Sequence, residues 1–381
     1  MQMMEWTEYK LEELLAYEQP TAYIVNSTDY HESYKTPVLT AGKSFIIGYT
    51  NEKTGIYDKL PVIIFDDFTT ASQYVNFQFK VKSSAMKILT ANSELVLPKF
   101  IFYRMQTIQF NHDTHKRYWI QQYSQIKVKV PPLPEQERIV AKIEELFSQL
   151  DAAVAELKSI KGKLAIYRQA VMQNVIVQYT QDVPNVFIKD VCNEIKVGIV
   201  IKPSQYYTTP ESGIKAFRSA NVREFYIDDK DWVFLSKDGH LKNKRSEVHI
   251  GDILIVRSGY PGTACVVTEK FDGSNAIDVL IAVPNREKIT PEYLCAYTNS
   301  PLGKKLVADK KRGVAQAHLN VGGYSKISIP IPEILVQNII VEEIHQKVSI
   351  CNNIEQTVDT ALQQAAALRQ SILKQAFEGN L

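Results

Sequence analysis

The sequence predicts an α+β (mixed α/β) chain of two globular domains separated by two long antiparallel helices that form a coiled coil. The whole is an internal pseudo-two-fold repeat. Three observations predict this. "YSQIKVKVP" (123–131) returns as "YSKISIPIP" (324–332), 201 residues later (324 − 123). Each copy opens a long run of apolar residues at helical spacing. Ahead of each run lie short apolar segments broken by polar turns, the pattern of strands. The expected segments are a domain over 1–130, a helix over 131–178, a second domain over 179–331 and a second helix over 332–381.

The helices repeat without a gap at the same offset. Ile143, Phe147, Leu150, Leu157, Leu164 and Val171 fall on Ile344, Val348, Cys351, Val358, Ala365 and Ile372. Steps of three and four residues give a narrow seam, as in a coiled coil, where a globular core would call for a broader face. Lys161 interrupts the first seam where the second has Leu362, and Glu355 interrupts the second where the first has Val154. Such a residue either fixes register at some cost in stability or reaches outward past its apolar neighbours. "PPLPEQER" starts the first helix with prolines whose missing N–H does no harm there, and Pro184 prevents its continuation. Gly379 in "FEGNL" suits a left-handed cap on the second. Each helix is then roughly 45 residues, about 65–70 Å long. A helix with a one-sided stripe needs a partner. Two copies of one unit tend to pack about a two-fold axis, so the expected partner is the other copy, antiparallel. An intermolecular pair is the alternative.

The domains repeat more faintly. Residues 62–89 lie over 253–280 as strand, polar turn, strand, turn and apolar run. "LPKFIFYRM" and "TPEYLCAYT" follow as helix starts with an early proline. The second copy then carries about ten extra residues, through "PLGKKLVADKKRGVAQAHLN".

Catalytic apparatus is missing from the motifs. "TAGKS" (40–44) resembles the end of a phosphate loop, but Pro37 stands where that loop needs glycine, so a turn between strands is expected. No G-x-G-x-x-G occurs, and no Asp/Asn-Pro-Pro-aromatic motif of amino-group DNA methyltransferases. "HDTH" (112–115) lacks a third metal ligand, and Cys192, Cys265, Cys295 and Cys351 form no C-x-x-C pair. Scattered cysteines fit a reducing compartment. No apolar run approaches membrane-spanning length, so a cytoplasmic protein is expected. A net charge of +2 is too small to name a partner; clustering has to do that.

Basic residues do cluster, in "KDGHLKNKR" (237–245), "KKLVADKKRG" (304–313) and "HKRYW" (115–119). Lysine and arginine neutralise phosphates, and nearby polar and aromatic side chains can reach bases. A solvated face is the plainer origin of any one run. In the first domain the candidate DNA contacts are Asp66, Asp67, Thr69, Thr70, Lys116 and Arg117. In the second they are Arg218, Asn221, Arg257, Ser258, Gly259, Lys310, Lys311, Arg312 and Asn320. Aligned Asp66 and Arg257 would suit different bases, since a carboxylate accepts from cytosine N4 and a guanidinium donates to guanine. Two unrelated strand-end turns would look the same.

The chain closely resembles the DNA specificity subunit of type I restriction–modification systems, over nearly its whole length. The resemblance is carried by "VPPLPEQERIVAKIEELFSQLDAAVAELKSIKGKLAIYRQAV", "LRQSILKQAFEGNL", "GDILIVRSG", "TPVLTAGKSFIIGYTNE" and "IIFDDFTTASQYVNFQFKV". It implies that 1–130 and 179–331 are target-recognition domains, each reading one half of a split, asymmetric site in double-stranded DNA. The helices at 131–178 and 332–381 are then the spacer. It also implies a non-catalytic chain with no cofactor of its own. Two methyltransferase subunits using S-adenosylmethionine would join it, and two restriction subunits using ATP and magnesium can associate. The second join departs from the pattern, reading "IPEILVQNII" without "PLPEQ". Two other classes stay open: a coiled-coil scaffold that binds proteins, and the DNA-reading part of a fused methyltransferase–nuclease.

Overall fold

The computed structural model describes residues 6–42, 44–112, 117–311 and 318–381, with only the backbone at Lys310 and Lys311. The chain forms two compact units, Met1–Leu157 with Thr360–Leu381, and Lys158–Asp359. The long helices, Leu133–Thr180 and Ile334–Phe377, each give one half to each unit.

In the first unit the main sheet is antiparallel, ordered Leu15–Glu18, Met86–Ala91, Val62–Asp66, Ser72–Val75. A second sheet joins Ile46–Thr50, Thr36–Leu39 and Lys80–Val81, the last two parallel. The second unit repeats this plan. Its main sheet runs Cys192–Val197, Val279–Pro284, Ile253–Val256, Ala264–Val266. Its second sheet runs Tyr207–Thr208, Val233–Leu235, Ile214–Phe217, Asn275–Ala276, again ending in a parallel pair.

The central strands show why the apolar runs are continuous. Side chains alternate across a strand, so both faces must be covered. Ile63 and Phe65 enter one core with the helix Pro98–Met105, while Val62 and Ile64 enter another under the second sheet. Ile253 and Ile255, against Leu254 and Val256, do the same in the second unit. There the helix Pro291–Asn299 is followed by Pro301–Lys311, part of the inserted stretch.

The repeated joins have one structural job. Tyr123 and Tyr324 are buried. Lys127–Val130 pairs antiparallel with Thr7–Lys10, and Ser328–Pro330 with Asn185–Phe187. The N–H of Leu11 donates to the Ile126 carbonyl, and that of Ile188 to Ile327, both at 3.0 Å. Just beyond each join sits a buried glutamine that the motifs had not singled out. Gln136 accepts from the Leu97 N–H (2.8 Å) and donates to the carbonyls of Leu95 and Pro131. Gln337 accepts from the Thr290 N–H (2.8 Å) and donates to Lys288 and Pro332. Each glutamine pins a helix start to the loop before its domain's proline-led helix.

Within each unit the two helix halves pack antiparallel. In the first, Ile139, Ile143 and Phe147 share a core with Ile372, Leu373 and Ala376. The Arg369 guanidinium lies 3.9 Å over the Phe147 ring and 2.6 Å from Asp151, and Arg138 donates to the Leu381 carbonyl. In the second, Val171, Val175 and Ile176 share a core with Ile340, Val341 and Ile344. Arg168 donates to Asn352 (2.8 Å), the repeat's counterpart of Arg369 to Asp151. Of the seam positions, Ile143, Phe147, Val171, Ile344, Cys351, Val358 and Ile372 are buried; Leu150, Leu157, Leu164, Val348 and Ala365 are partly buried. The two seam interruptions face each other. Lys161 Nζ lies 2.6 Å from Asp359 and 3.8 Å from Glu355, while Arg168 lies 2.8 Å from Glu355. The second helix ends on Gly379 at φ +77°, with the Asn380 N–H donating back to Gln375.

Candidate nucleic-acid interface

In the first unit the turn after Val62–Asp66 is built by Asp66. Its Oδ1 accepts from the N–H groups of Phe68 (2.9 Å) and Thr69 (3.0 Å), a local aspartate turn. Thr70 sits at φ +57°, and its hydroxyl lies 3.1 Å from His112 Nε2. Thr69, His112 and Arg117 are exposed around this tip. Lys116 lies outside the described residues, as do three of the four residues of "HDTH".

Asp67 is a correction to the expected contacts. It is buried, lies 3.2 Å from equally buried Lys87, and accepts from the Trp119 N–H at 2.7 Å. A carboxylate committed in this way holds 118–125 to the sheet and has no free edge for a base. Asn221 is a second correction for the same reason. It is buried, accepts from the Arg218 N–H (3.0 Å) and donates to the carbonyls of Asp228 and Lys230. The polar identity of both residues was legible, but Asp67's partners lie far along the chain. Those of Asn221, within nine residues, meet it only through an irregular loop that carries no periodicity.

The second unit's tip follows Ile253–Val256. The hairpin is closed by the Val256 N–H to Thr263 (2.9 Å) and the Gly262 N–H to Val256 (3.0 Å). Between them, Gly259 and Gly262 take φ +77° and +86°, conformations that glycine adopts without strain. Arg257 pairs with Asp278 and donates from Nε to the Leu319 carbonyl (3.0 Å), while the Leu319 N–H returns a bond to Arg257. Ser258 is hydrogen-bonded to His318. Asn320 caps the short helix Val321–Ser325 by accepting from the Gly323 N–H (2.7 Å). Hairpin, Asp278 turn and 318–320 therefore form one bonded cluster. A cleft of about 880 Å³ opens beside it, lined by Ser219, Arg223, Ser258, Tyr260, Lys304 and Val307 among others.

Several basic side chains in and around these runs are held by acidic partners. In 237–245, Lys242 pairs with Asp238 (2.7 Å) and Lys244 with Glu247 (2.6 Å). Lys215 and Lys270 both hold Asp229; with the Trp232 N–H, they keep that carboxyl well below its usual range. Lys304 pairs with Glu224. Arg218 reaches the Asp231 carbonyl. The side chains of Lys310 and Lys311, and all of Arg312, lie outside the described residues.

Two features are absent among the described residues. No group of three or more His, Cys, Asp or Glu is placed to hold a metal, and no helix is long and apolar enough to cross a membrane. "TAGKS" forms the turn between Thr36–Leu39 and Ile46–Thr50, closed by the Thr40 N–H to Phe45, with Lys43 outside the described residues.

This geometry defines a class: a duplicated mixed α/β protein that carries two unlike loop tips on one repeated frame. The chain belongs to the type I restriction modification DNA specificity domain family, whose model matches residues 3–161 and 181–364. It is 33% identical to the type I restriction enzyme EcoR124I/EcoR124II specificity subunit of Escherichia coli, over 92% of this chain and 88% of that one. It is 28% identical to the EcoBI specificity subunit of Escherichia coli, over 66% of this chain and 58% of that one. Among solved structures, a chain from a study of complex assembly in the type I R-M system matches with a TM-score of 0.74. It covers 99% of this chain and 98% of that chain at 18% identity. The HsdS subunit of Thermoanaerobacter tengcongensis matches with a TM-score of 0.53 at 18% identity, covering 99% and 97%. At that identity the structural likenesses speak for the fold.

Proposed function

We propose that this chain is the non-catalytic DNA specificity subunit of a type I restriction–modification complex. Each recognition domain, 1–130 and 179–331, reads one half of a bipartite, asymmetric site in double-stranded DNA. The paired long helices act as a coiled-coil spacer that sets the gap between the halves. The observation that carries this is a repeated frame with unlike tips. Asp66, Thr69, Thr70 and His112 build one, and Arg257, Ser258, Asp278 and His318 build the other. One frame bearing two chemistries suits two different words of sequence. Thr69, Thr70, Arg117 and Ser258 are proposed to face the DNA, with Lys116, Lys310, Lys311 and Arg312 on phosphates.

Two helices of 48 and 44 residues without a break supply a stiff connection. Stiffness makes the second engagement intramolecular, with a high effective concentration only at the correct separation. Two methyltransferase subunits using S-adenosylmethionine complete the proposed complex in the cytoplasm, and two restriction subunits using ATP and magnesium can join it.

The test is binding of the full chain, with its methyltransferase subunits, to duplex DNA over a range of salt. Phosphate contacts predict a linear log–log fall in affinity, with a slope of about −0.9 for each phosphate neutralised. Binding without salt dependence, or no binding, contradicts the proposal and favours a protein scaffold.

A further inference from the structure

Among the described residues, the two most exposed large hydrophobic side chains are Tyr260, 85% exposed, and Ile201, 79% exposed. Both sit on the cluster of loops tied together by Arg257. Tyr260 is at the apex of the closed hairpin between Gly259 and Pro261, where the backbone has little freedom left to lose. Ile201 follows Val200 in a loop that is pinned at its base. The Ile199 N–H donates to Ala276 (2.8 Å), and the Asp278 N–H donates to Ile199 (3.1 Å). Gly198 lies so close to the Ala276 carbonyl that a Cβ would not fit. Lys202, at φ +43° and exposed, closes the loop's tip. Asp278 links this loop to Arg257, which also holds the hairpin base and Leu319.

A single exposed apolar side chain is ordinary on a surface. Two on hydrogen-bonded loops that Arg257 ties into one cluster, with exposed Lys202 next to Ile201, invite a shared reason. Duplex DNA supplies one. The thymine C5-methyl is the apolar group on the major-groove edge, and a tyrosine offers a flat ring with a hydroxyl that donates or accepts. We propose that Ile201 and Tyr260 are side chains with which the second unit contacts bases, and that Arg257 is the positioning residue that ties their two loops together. This rests on the DNA-reading function proposed above and deepens it. Ile201 then selects a T·A pair, and Tyr260 a second position in the same half-site.

The experiment is selection from a random duplex pool, using the full chain co-purified with its methyltransferase subunits. Wild type is compared with Ile201→Ala, Tyr260→Ala, Tyr260→Phe and Arg257→Lys. Wild type should select two words. Ile201→Ala and Tyr260→Ala should each lose roughly tenfold of preference at one position of the same word, leaving the other word and the gap unchanged. Tyr260→Phe separates hydroxyl from ring, keeping the preference if the ring carries it. Arg257→Lys should relax both positions together at an unchanged unfolding midpoint, which a merely structural role would not do. Unchanged words in the Ile201 and Tyr260 variants overturn the inference while the general function stands. So does loss of the methyltransferase subunits in place of a changed word, which makes this a protein-docking surface. If wild type selects no word, both proposals fall.

Discussion

Asp67 shows how a polar residue at a strand end can mislead. Next to Asp66 in "FDDFTT" it looks like a second carboxylate on an exposed turn. The chain instead folds 118–125 over it, and Lys87 arrives from the neighbouring strand, so both charges leave water together. Removing one partner of a buried pair strands the other. Asp67→Ala should therefore destabilise the first unit by about 3–5 kcal/mol, measured by urea unfolding. The equivalent change at Thr69, which is exposed, should leave the midpoint within about 0.5 kcal/mol. Gln136 and Gln337 carry the same lesson. Their repeat at one offset was available in the sequence, but their value lies in bonds to backbone about 40 residues upstream. Residue type alone does not reveal a partner at that distance.

At the scale of elements, the helices were the most legible part, because a seam of six positions and its copy constrain each other. Their ends were marked by Pro and Gly chemistry. The main-sheet strands were legible as apolar runs between turns. The parallel pairings of Thr36–Leu39 with Lys80–Val81, and of Ile214–Phe217 with Asn275–Ala276, were not, since such short segments carry no periodicity. The interrupted seam was legible as a pair of defects but not as an ion cluster. Its structure now predicts an outcome. Glu355→Lys would place a third cation beside Lys161 and Arg168, and should lower the thermal midpoint, more so at low salt. Adding Lys161→Glu should recover part of the loss. No change in either variant would show that the cluster contributes nothing to stability.

For the whole molecule, two readers on one frame become a single recognition device only if the helices fix their separation. Modest discrimination at each tip, about 1–3 kcal/mol for each good base contact, is then multiplied by geometry. The candidate tips were legible only as polar turns in matching places. Which side chains stay exposed depends on long-range bonds, and so Ile201 and Tyr260 went unnoticed beside Asp67 and Asn221. The most direct measurement is selection from a random duplex pool after removing one matched seven-residue step from each long helix, which preserves the seam. Seven residues are about 10 Å of helix, equivalent to about three base pairs. Both selected words should be unchanged and the gap between them narrower, by up to about three base pairs. An unchanged gap would contradict the helices as the spacer.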